Sequence, residues 1–200
     1  MKRDLLFLAL LIITSLHGRA QDKEIGLYLG YGLTGITERE YIMELSDYRF
    51  RHQSPHAYIA GFNYSRQIFF PRLKFTAGIN YLQRNFEYSG SARYLNIPAG
   101  AEYIFGNKLK AGIAGGLYLN THLGHKYSSS MNTFVLGEYL KLSVGYHLKN
   151  KYRIMASWSG STDLTNMSYF EGNGFTGSTR IWEDIGFDSI FGLTVYYTMD

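Results

Sequence analysis

The stretch that decides the fold is Glu24–Thr34, which reads EIGLYLGYGLT. Its apolar side chains fall on every second position: Ile25, Leu27, Leu29, Tyr31 and Leu33. Small or polar residues occupy the positions between them. Successive side chains of a strand point to opposite faces, so this period of two predicts a strand with one apolar face. Helical periodicity is nearly absent from the chain.

The same alternation predicts seven further strands. It is clearest in Leu73–Arg84, Tyr94–Phe105 and Leu140–Leu148. Weaker versions run through His56–Ile68, Leu109–Asn120, Tyr152–Gly160 and Asp188–Thr198. Several of these segments reach the roughly 9–11 residues that a tilted transmembrane strand requires. The sequence therefore predicts an all-β fold of about eight antiparallel strands.

The connections between these strands alternate in length. Short links are expected at Phe69–Arg72, Gly106–Lys108 and Lys149–Lys151. Longer ones are expected at Gly35–Pro55, Glu87–Arg93, Thr121–Thr133 and Ser161–Phe187. Outer-membrane barrels pair short periplasmic turns with longer extracellular loops. The pattern indicates an eight-stranded, up-and-down transmembrane β-barrel with both termini in the periplasm.

Aromatic residues on the apolar face collect near the ends of the strands. Beside the short turns or the chain end are Tyr64, Tyr103, Phe105, Tyr146, Tyr152 and Tyr197. Toward the long loops are Tyr31, Tyr58, Tyr81 and Trp158. Two aromatic girdles flanking an apolar band are typical of lipid-facing strands. A soluble barrel or sandwich with the apolar face turned inward is the alternative, and a period of two alone does not separate the two.

The ends and the composition suggest an exported, single-domain protein. Lys2 and Arg3 precede an apolar run, Leu5 to Ile13, which predicts a signal peptide over residues 1–20 with cleavage between Ala20 and Gln21. Residues 21–200 would then form the barrel domain. The chain has no cysteine, so it forms no disulfide. Its formal net charge of +4 is small and scattered, which argues against a nucleic-acid partner.

Charged residues also fall on the face opposite the apolar one. The predicted lumen set is Lys74, Arg84, Glu102, Lys110, Lys141 and Arg153, with His147 beside it. An eight-stranded barrel is just wide enough inside for side chains to fill it. Charges in such a space must pair or keep water. A structural salt-bridge network is expected, with an ion or solute path as the alternative.

One strand resembles a known family. The stretch Tyr94-Leu95-Asn96-Ile97-Pro98, continuing to Tyr103-Ile104-Phe105, is similar to a strand of the PorT-like outer-membrane barrels of Bacteroidetes. Leu109–Leu119, with Gly112, Gly115 and Gly116, resembles the next strand of that family. Gly145-Tyr146 before a short turn and the signal ending at Ala20-Gln21 fit the same group. The resemblance implies an outer-membrane barrel, with protein secretion as one role.

Catalytic motifs are weak. His122, His125, Ser128, Ser129 and Ser130 lie in the third long loop, with Glu138 just beyond. Lipid A deacylases and palmitoyltransferases also carry histidine and serine near the outer rim, but the tight His-x-Ser spacing of the deacylases is missing here. His52 and His56 flank Pro55 and form only a weak metal signal. We expect no catalytic residue, no metal and no cofactor.

The sequence favours a monomeric, non-enzymatic anchor or interaction module in the bacterial outer membrane. Its partners would be outer-membrane lipid and envelope proteins reached through the loops or turns. A link to protein secretion or envelope integrity is possible on this interpretation. The alternatives are a lipid A-modifying enzyme and a soluble secreted barrel that binds a lipophilic ligand.

Overall fold

Ten antiparallel strands make up the described part of the chain. The computed structural model describes residues 23–42, 47–53, 56–68, 70–86, 90–123, 132–148, 151–165, 168–173 and 179–199. For 36–42, 47–53, 86, 90, 168–173 and 179–184 only the backbone is described. The strands are β1 (Lys23–Ile42), β2 (Asp47–Gln53), β3 (His56–Ile68), β4 (Phe70–Phe86), β5 (Gly90–Phe105), β6 (Leu109–His122), β7 (Phe134–Leu148), β8 (Tyr152–Asp163), β9 (Ser168–Asn173) and β10 (Thr179–Met199).

Eight of these strands close into a barrel. The order round the wall is β1-β3-β4-β5-β6-β7-β8-β10, and pairing of β1 with β10 closes it. Every pairing is antiparallel between neighbours, so the predicted eight-stranded, up-and-down fold is confirmed. A closed sheet has no edge strand in its wall.

The ladder of the barrel is staggered. Starting from Leu33 of β1, each residue pairs with the next one round the wall. The successive partners are Ser189, Gly160, Leu140, Gly115, Ala101, Phe75, Arg66 and finally Lys23 of β1. The circuit therefore returns to β1 ten residues before its start, from position 33 to 23. With a rise of ~3.3 Å per residue and a strand spacing of ~4.8 Å, this stagger tilts the strands about 40° from the barrel axis.

The apolar face of the strands points outward. Leu27, Leu29 and Leu33 keep about half of their surface exposed, at 49%, 55% and 51%, whereas Glu24 and Tyr28 on the opposite face of β1 are buried. The same polarity holds on other strands, as Phe62, Ile79 and Phe191 show. The lumen instead holds tyrosines, asparagines and charged groups. This apolar-out, polar-in arrangement is that of a transmembrane β-barrel and inverts that of a soluble one. Among the described residues, no helix has the length and apolar character to cross a membrane.

The short links lie at the end of the barrel that holds both described termini. One residue, 69, separates β3 from β4, residues 106–108 separate β5 from β6, and 149–151 separate β7 from β8. Gly106 has φ of +82°, and a Cβ there would come within 2.1 Å of the Leu109 carbonyl oxygen. This tight turn therefore requires glycine.

Strands at the opposite end continue past the closed wall. β1 pairs with β10 along its whole length, from Lys23↔Met199 to Ile42↔Arg180. β2 pairs with β1 alone and β9 with β10 alone, so β2-β1-β10-β9 form a four-stranded extension. β2 and β3 pair with the same edge of β1 in one continuous register. Gln53 of β2 pairs with Ile36, and His56 of β3, three residues further along, pairs with Leu33.

This extension corrects two predicted loops. Gly35–Pro55 contains the end of β1 and all of β2, and Ser161–Phe187 contains the end of β8, all of β9 and the start of β10. The apolar alternation that revealed the other strands is interrupted by Glu38, Arg39 and Glu40 at the end of β1 and is reduced to Tyr48 and Phe50 in β2. Two further loops are shorter than expected, because β5 begins at Gly90 and β6 extends to His122. The predicted signal peptide, residues 1–20, lies outside the described residues.

Candidate functional site: the charged lumen

A cluster centred on Arg84 closes the lumen at the end that carries the extension. Arg84 of β4 is fully buried. Its Nη1 donates to Asp163 Oδ2 of β8 at 2.9 Å. Its Nη2 and Nε donate to Asp188 of β10, at 2.8 Å to Oδ2 and 3.0 Å to Oδ1. One guanidinium therefore bridges two carboxylates, with the fork geometry that arginine provides.

Neutral donors complete this Arg84 cluster. The Tyr118 hydroxyl donates to Asp163 Oδ1 at 2.6 Å, and the Gly186 amide donates to Asp163 Oδ2 at 3.0 Å. Ser161 donates to Asp188 Oδ2 at 3.3 Å. The Arg84 guanidinium also lies 5.5 Å from the centre of the Tyr94 ring. Buried charges are tolerated only when their hydrogen bonds are satisfied, and this cluster meets that condition.

A second cluster lies toward the end with the termini and is centred on Glu24 of β1. Glu24 Oε2 accepts from Lys74 Nζ at 2.8 Å and from Arg153 Nη2 at 2.6 Å. Glu102 continues the cluster, with Oε2 3.7 Å from Arg153 Nη2 and Oε1 3.9 Å from Lys141 Nζ. The Arg153 guanidinium lies 4.1 Å from the centre of the Tyr196 ring, a cation–π contact.

A chamber of ≈ 90 Å³ with a mixed polar and apolar lining lies between the Arg84 and Glu24 clusters. Tyr118 and Asp188 line it on one side, and Tyr196 and Lys141 line it on the other. Asparagines on three neighbouring strands form a ladder in its wall. Asn80 Nδ2 donates to Asn96 at 3.2 Å, and Asn96 Nδ2 donates to Asn120 at 2.8 Å. A chamber of this volume has room for a few water molecules.

Glycines make room for the tyrosines that fill the lumen. A Cβ on Gly192 would lie 2.2 Å from Tyr28 Cε2, and one on Gly26 would lie 2.7 Å from Tyr196 Cδ1. The rings therefore pack directly on the backbone of the neighbouring strand. Alternation of large and small residues is a common way to fill a narrow barrel.

The structure divides the predicted lumen set between the two ends. Arg84 lies in one cluster, and Lys74, Glu102, Lys141 and Arg153 lie in the other. Lys110 lies nearer the mouth, where its Nζ donates to the Gly106 carbonyl at 3.1 Å. His147 is half-buried close by and lines the same mouth.

Sequence reasoning left three carboxylates out of the predicted set: Glu24, Asp163 and Asp188. Glu24 and Asp188 stand on polar faces that the alternation defines. Asp163 continues the inward series Arg153, Met155, Ser157, Ser159 and Ser161 by one more step of two. Continuing the alternation of inward and outward positions past the last apolar residue of each strand would have placed Asp163 in the lumen.

The predicted girdle residues lie on the outer surface near the two ends. Toward the termini, Tyr103 and Phe105 pack edge-on at 4.8 Å, and Tyr152 and Tyr197 lie 5.4 Å apart. Tyr146 is exposed and Tyr64 is half-buried on the same side. Toward the extension, Tyr31 and Tyr58 lie 5.1 Å apart, Tyr81 donates to Gln83 at 3.0 Å, and Trp158 Nε1 donates to Ser189 at 3.0 Å.

The residues weighed for catalysis do not converge where they are described. His122 lies on the lumen side of β6 against the Tyr94 ring, whereas Glu138 is exposed on the outer face of β7. Glu138 pairs with Leu117, five positions from His122 along β6. His125 and Ser128 to Ser130 lie outside the described residues. Of the weak metal pair, His56 contacts the Tyr31 hydroxyl at 2.8 Å, and the side chain of His52 is not described. The described residues hold no cluster of three or more metal-ligating side chains.

Comparison with known proteins finds likeness in structure alone. No protein-family model matches the chain, and no curated protein matches its sequence. Neisserial surface protein A is similar, with 16% identity, 84% of this chain and 96% of that chain covered, and a TM-score of 0.45. The N-terminal barrel domain of Pseudomonas aeruginosa OprF gives 10% identity, 90% and 100% coverage, and 0.46.

The outer membrane protease OmpT from Escherichia coli is also similar, with 9% identity, 92% and 100% coverage, and a TM-score of 0.43. One of these three proteins is named a protease and the other two are not. Identities this low carry no activity from any of them to this chain. The class that the described geometry itself defines is a closed, eight-stranded β-barrel of the transmembrane type.

Proposed function

We propose that this chain is a small outer-membrane barrel that acts as a membrane anchor and presents the β2-β1-β10-β9 extension as an interaction surface. The observation that carries the proposal is the contrast between wall, lumen and extension. The outer wall is apolar, the lumen is filled by ion-paired clusters toward both ends, and four strands continue beyond the closed wall.

The filled lumen argues against transport as the main role. A fully buried guanidinium crosses the lumen at one end, and Glu24, Lys74 and Arg153 meet across it at the other. The space between these clusters is a chamber of ≈ 90 Å³, which is suited to a few waters. A solute would have to break buried ion pairs at both ends to pass, and breaking such pairs is costly.

The extension suits a role in contact with proteins. β2 and β9 each pair on one side only among the described strands, so the extension has two open edges. An open edge presents unpaired N–H and C=O groups that accept a further strand from a partner. The resemblance of Tyr94–Phe105 to PorT-like barrels suggests that the partner belongs to protein secretion or to envelope maintenance.

The membrane location has a direct test. The protein is extracted from the outer-membrane fraction in mild detergent and run on a gel with and without heating. A band that shifts on heating supports a closed barrel embedded in lipid. A soluble, detergent-free protein with no shift would contradict the proposal and favour the alternative of a soluble barrel with a lipophilic ligand.

The interaction role is tested by shortening the extension. Residues 37–52 are replaced by a short turn, and partners are captured by cross-linking on intact cells. We expect the heat-shifted band to remain and specific cross-links to disappear. Cross-links that persist unchanged would indicate that the partner binds at the periplasmic turns instead.

A lipid A-modifying enzyme remains a separate candidate. The histidines and serines of residues 122–130 favour it by residue type alone. Replacing Ser128, Ser129 and Ser130 together by Ala tests it through the acylation state of lipid A. We expect no change, and any dependence on these serines would revive the enzyme hypothesis.

A further inference from the structure

The barrel mouth beside the termini is lined by positive charge that the structure does not balance. A cavity of ≈ 160 Å³ opens there, lined among others by Arg72, Lys74, Lys110, His147 and Arg153. Among the described residues, Glu24 is the only carboxylate in its lining, and this group is already shared by Lys74 and Arg153. Four cations against one carboxylate leave a formal excess of three positive charges in the lining.

Several side chains that line this mouth have hydrogen-bond donors without an acceptor among the described residues. Arg153 is 1% exposed, and its Nε and Nη1 have no hydrogen-bond partner among the described residues. His147 Nε2 is also buried without a described partner. Lys110 donates to the Gly106 carbonyl, but an ammonium carries three donors. Buried polar groups in this state cost free energy, so the arrangement favours an acceptor that is missing.

The rim around the mouth adds to the positive field. Lys23 opens β1, Lys108 lies in the β5–β6 turn and Lys151 precedes β8, and all three are exposed. Of the described carboxylates of the cluster nearest this end, Glu24 is paired with Lys74 and Arg153, and Glu102 lies 3.7 Å from Arg153 and 3.9 Å from Lys141. A mouth of one sign attracts and concentrates ligands of the opposite sign.

We infer that this mouth binds a phosphoryl group through Arg72, Lys74, Lys110 and Arg153. A phosphate monoester carries up to two negative charges and offers three acceptor oxygens. It therefore balances an excess of this size better than a single carboxylate does. Arginine supplies planar forks for phosphate oxygens, and lysine supplies point charges. The group belongs either to a free phosphate compound or to a lipid headgroup that ends in a phosphate monoester, as in phosphatidic acid.

Binding of inorganic phosphate is the first arm of the test. The full chain is held in non-ionic detergent at low salt, and phosphate is titrated calorimetrically. The informative variant is Arg72→Gln/Lys110→Gln, because neither residue forms an ion pair with Glu24. We expect its affinity to fall at least about tenfold, as expected for losing two charge-assisted contacts. Lys108→Gln, an exposed rim cation outside the cavity lining, is the matched control and should bind within about twofold of the native chain.

Retention of phosphatidic acid, a lipid whose headgroup is a phosphate monoester, is the second arm. Protein from phosphatidylcholine vesicles containing phosphatidic acid is examined by native mass spectrometry. If native protein and Lys108→Gln keep the anionic lipid and the double variant loses it, while free phosphate does not bind, the phosphoryl group is a lipid headgroup. A heat-shifted band shows that each variant is folded, and the exposed single variant Arg72→Gln replaces the double variant if that fails. Equal binding by native and variant chains, or no binding of either probe, would overturn the proposal.

Discussion

Arg84 and Asp163 meet at 2.9 Å although their strands stand on opposite sides of the barrel. β4 and β8 are four steps apart in either direction round the eight-stranded wall. The side chains of Arg84, Asp163 and Asp188 thus tie the two halves of the wall together through the lumen. Both Arg84 and Asp163 have side chains with no exposure to solvent, so the link is not screened by bulk water.

Removal of the Arg84 side chain should destabilise the barrel strongly. In Arg84→Met, two carboxylates stay buried without their cation, which costs about 3–5 kcal/mol of unfolding free energy. Urea unfolding of the protein in lipid vesicles measures the change. Arg93→Met is the control, because Arg93 is exposed near the same end of the barrel. Equal stability of the two variants would show that the Arg84 cluster contributes little.

Neutralising the whole cluster should recover part of that loss. The variant Arg84→Met/Asp163→Asn/Asp188→Asn removes the unpaired charges together with the cation, and replacing a buried pair as a unit is often close to neutral. We expect the triple variant to be more stable than Arg84→Met in the same urea experiment. If it is less stable than the single variant, the carboxylates matter for reasons other than pairing with Arg84.

The packing of tyrosine on glycine predicts an asymmetric response to alanine. Gly192→Ala places a methyl group against the Tyr28 ring and should cost about 1–3 kcal/mol. Gly115→Ala is the matched control, because its Cβ would meet only the Tyr139 carbonyl oxygen, at 3.5 Å. We expect it to change the unfolding free energy by less than ~0.5 kcal/mol. A cost below ~0.5 kcal/mol for Gly192→Ala as well would argue that the lumen tolerates repacking.

A charge on the outer wall distinguishes a lipid-facing from a water-facing surface. Leu29 is 55% exposed at the centre of the outward face of β1. Leu29→Arg should cost about 2–4 kcal/mol if this face meets the bilayer midplane, whereas Tyr152→Arg, near a short turn, should cost about 0–1 kcal/mol. Unfolding in vesicles measures both variants. On a surface facing water, Leu29→Arg would have almost no effect, and that result would exclude a lipid-facing wall.

The barrel could be predicted from the sequence because a lipid-facing wall requires an apolar residue at every second position of a strand. Residues such as Leu27 and Phe62 must be apolar to face hydrocarbon. This requirement gives each spanning strand its alternation of apolar and polar residues. The lumen is harder to predict, because a position such as Asp163 reveals only its face and not its partner across the barrel. The pairing of Arg84 with Asp163 and Asp188 depends on the stagger of the wall, which single strands do not encode.

The extension was not predicted, because its segments lack a clear apolar face. In Ile36–Ile42 charges fall on both sets of alternating positions, at Glu38, Arg39 and Glu40. In Asp47–Gln53 the charges do fall on one set, but the other set offers only two aromatic residues in a segment of 7 residues, which is too little to distinguish a strand from a loop. Here backbone pairing with β1, rather than burial, defines the element.

The full-length ladder between β1 and β10 sets the order in which this protein is able to fold. Residues 23–42 find their partners at 180–199, so the seam of the barrel joins the first strand to the last. Loop-closure entropy must be overcome before such distant contacts form, which makes this step slow. Until the last strand has been synthesised and delivered, β1 keeps one edge unpaired, and an unpaired edge of this length is open to pairing with other strands.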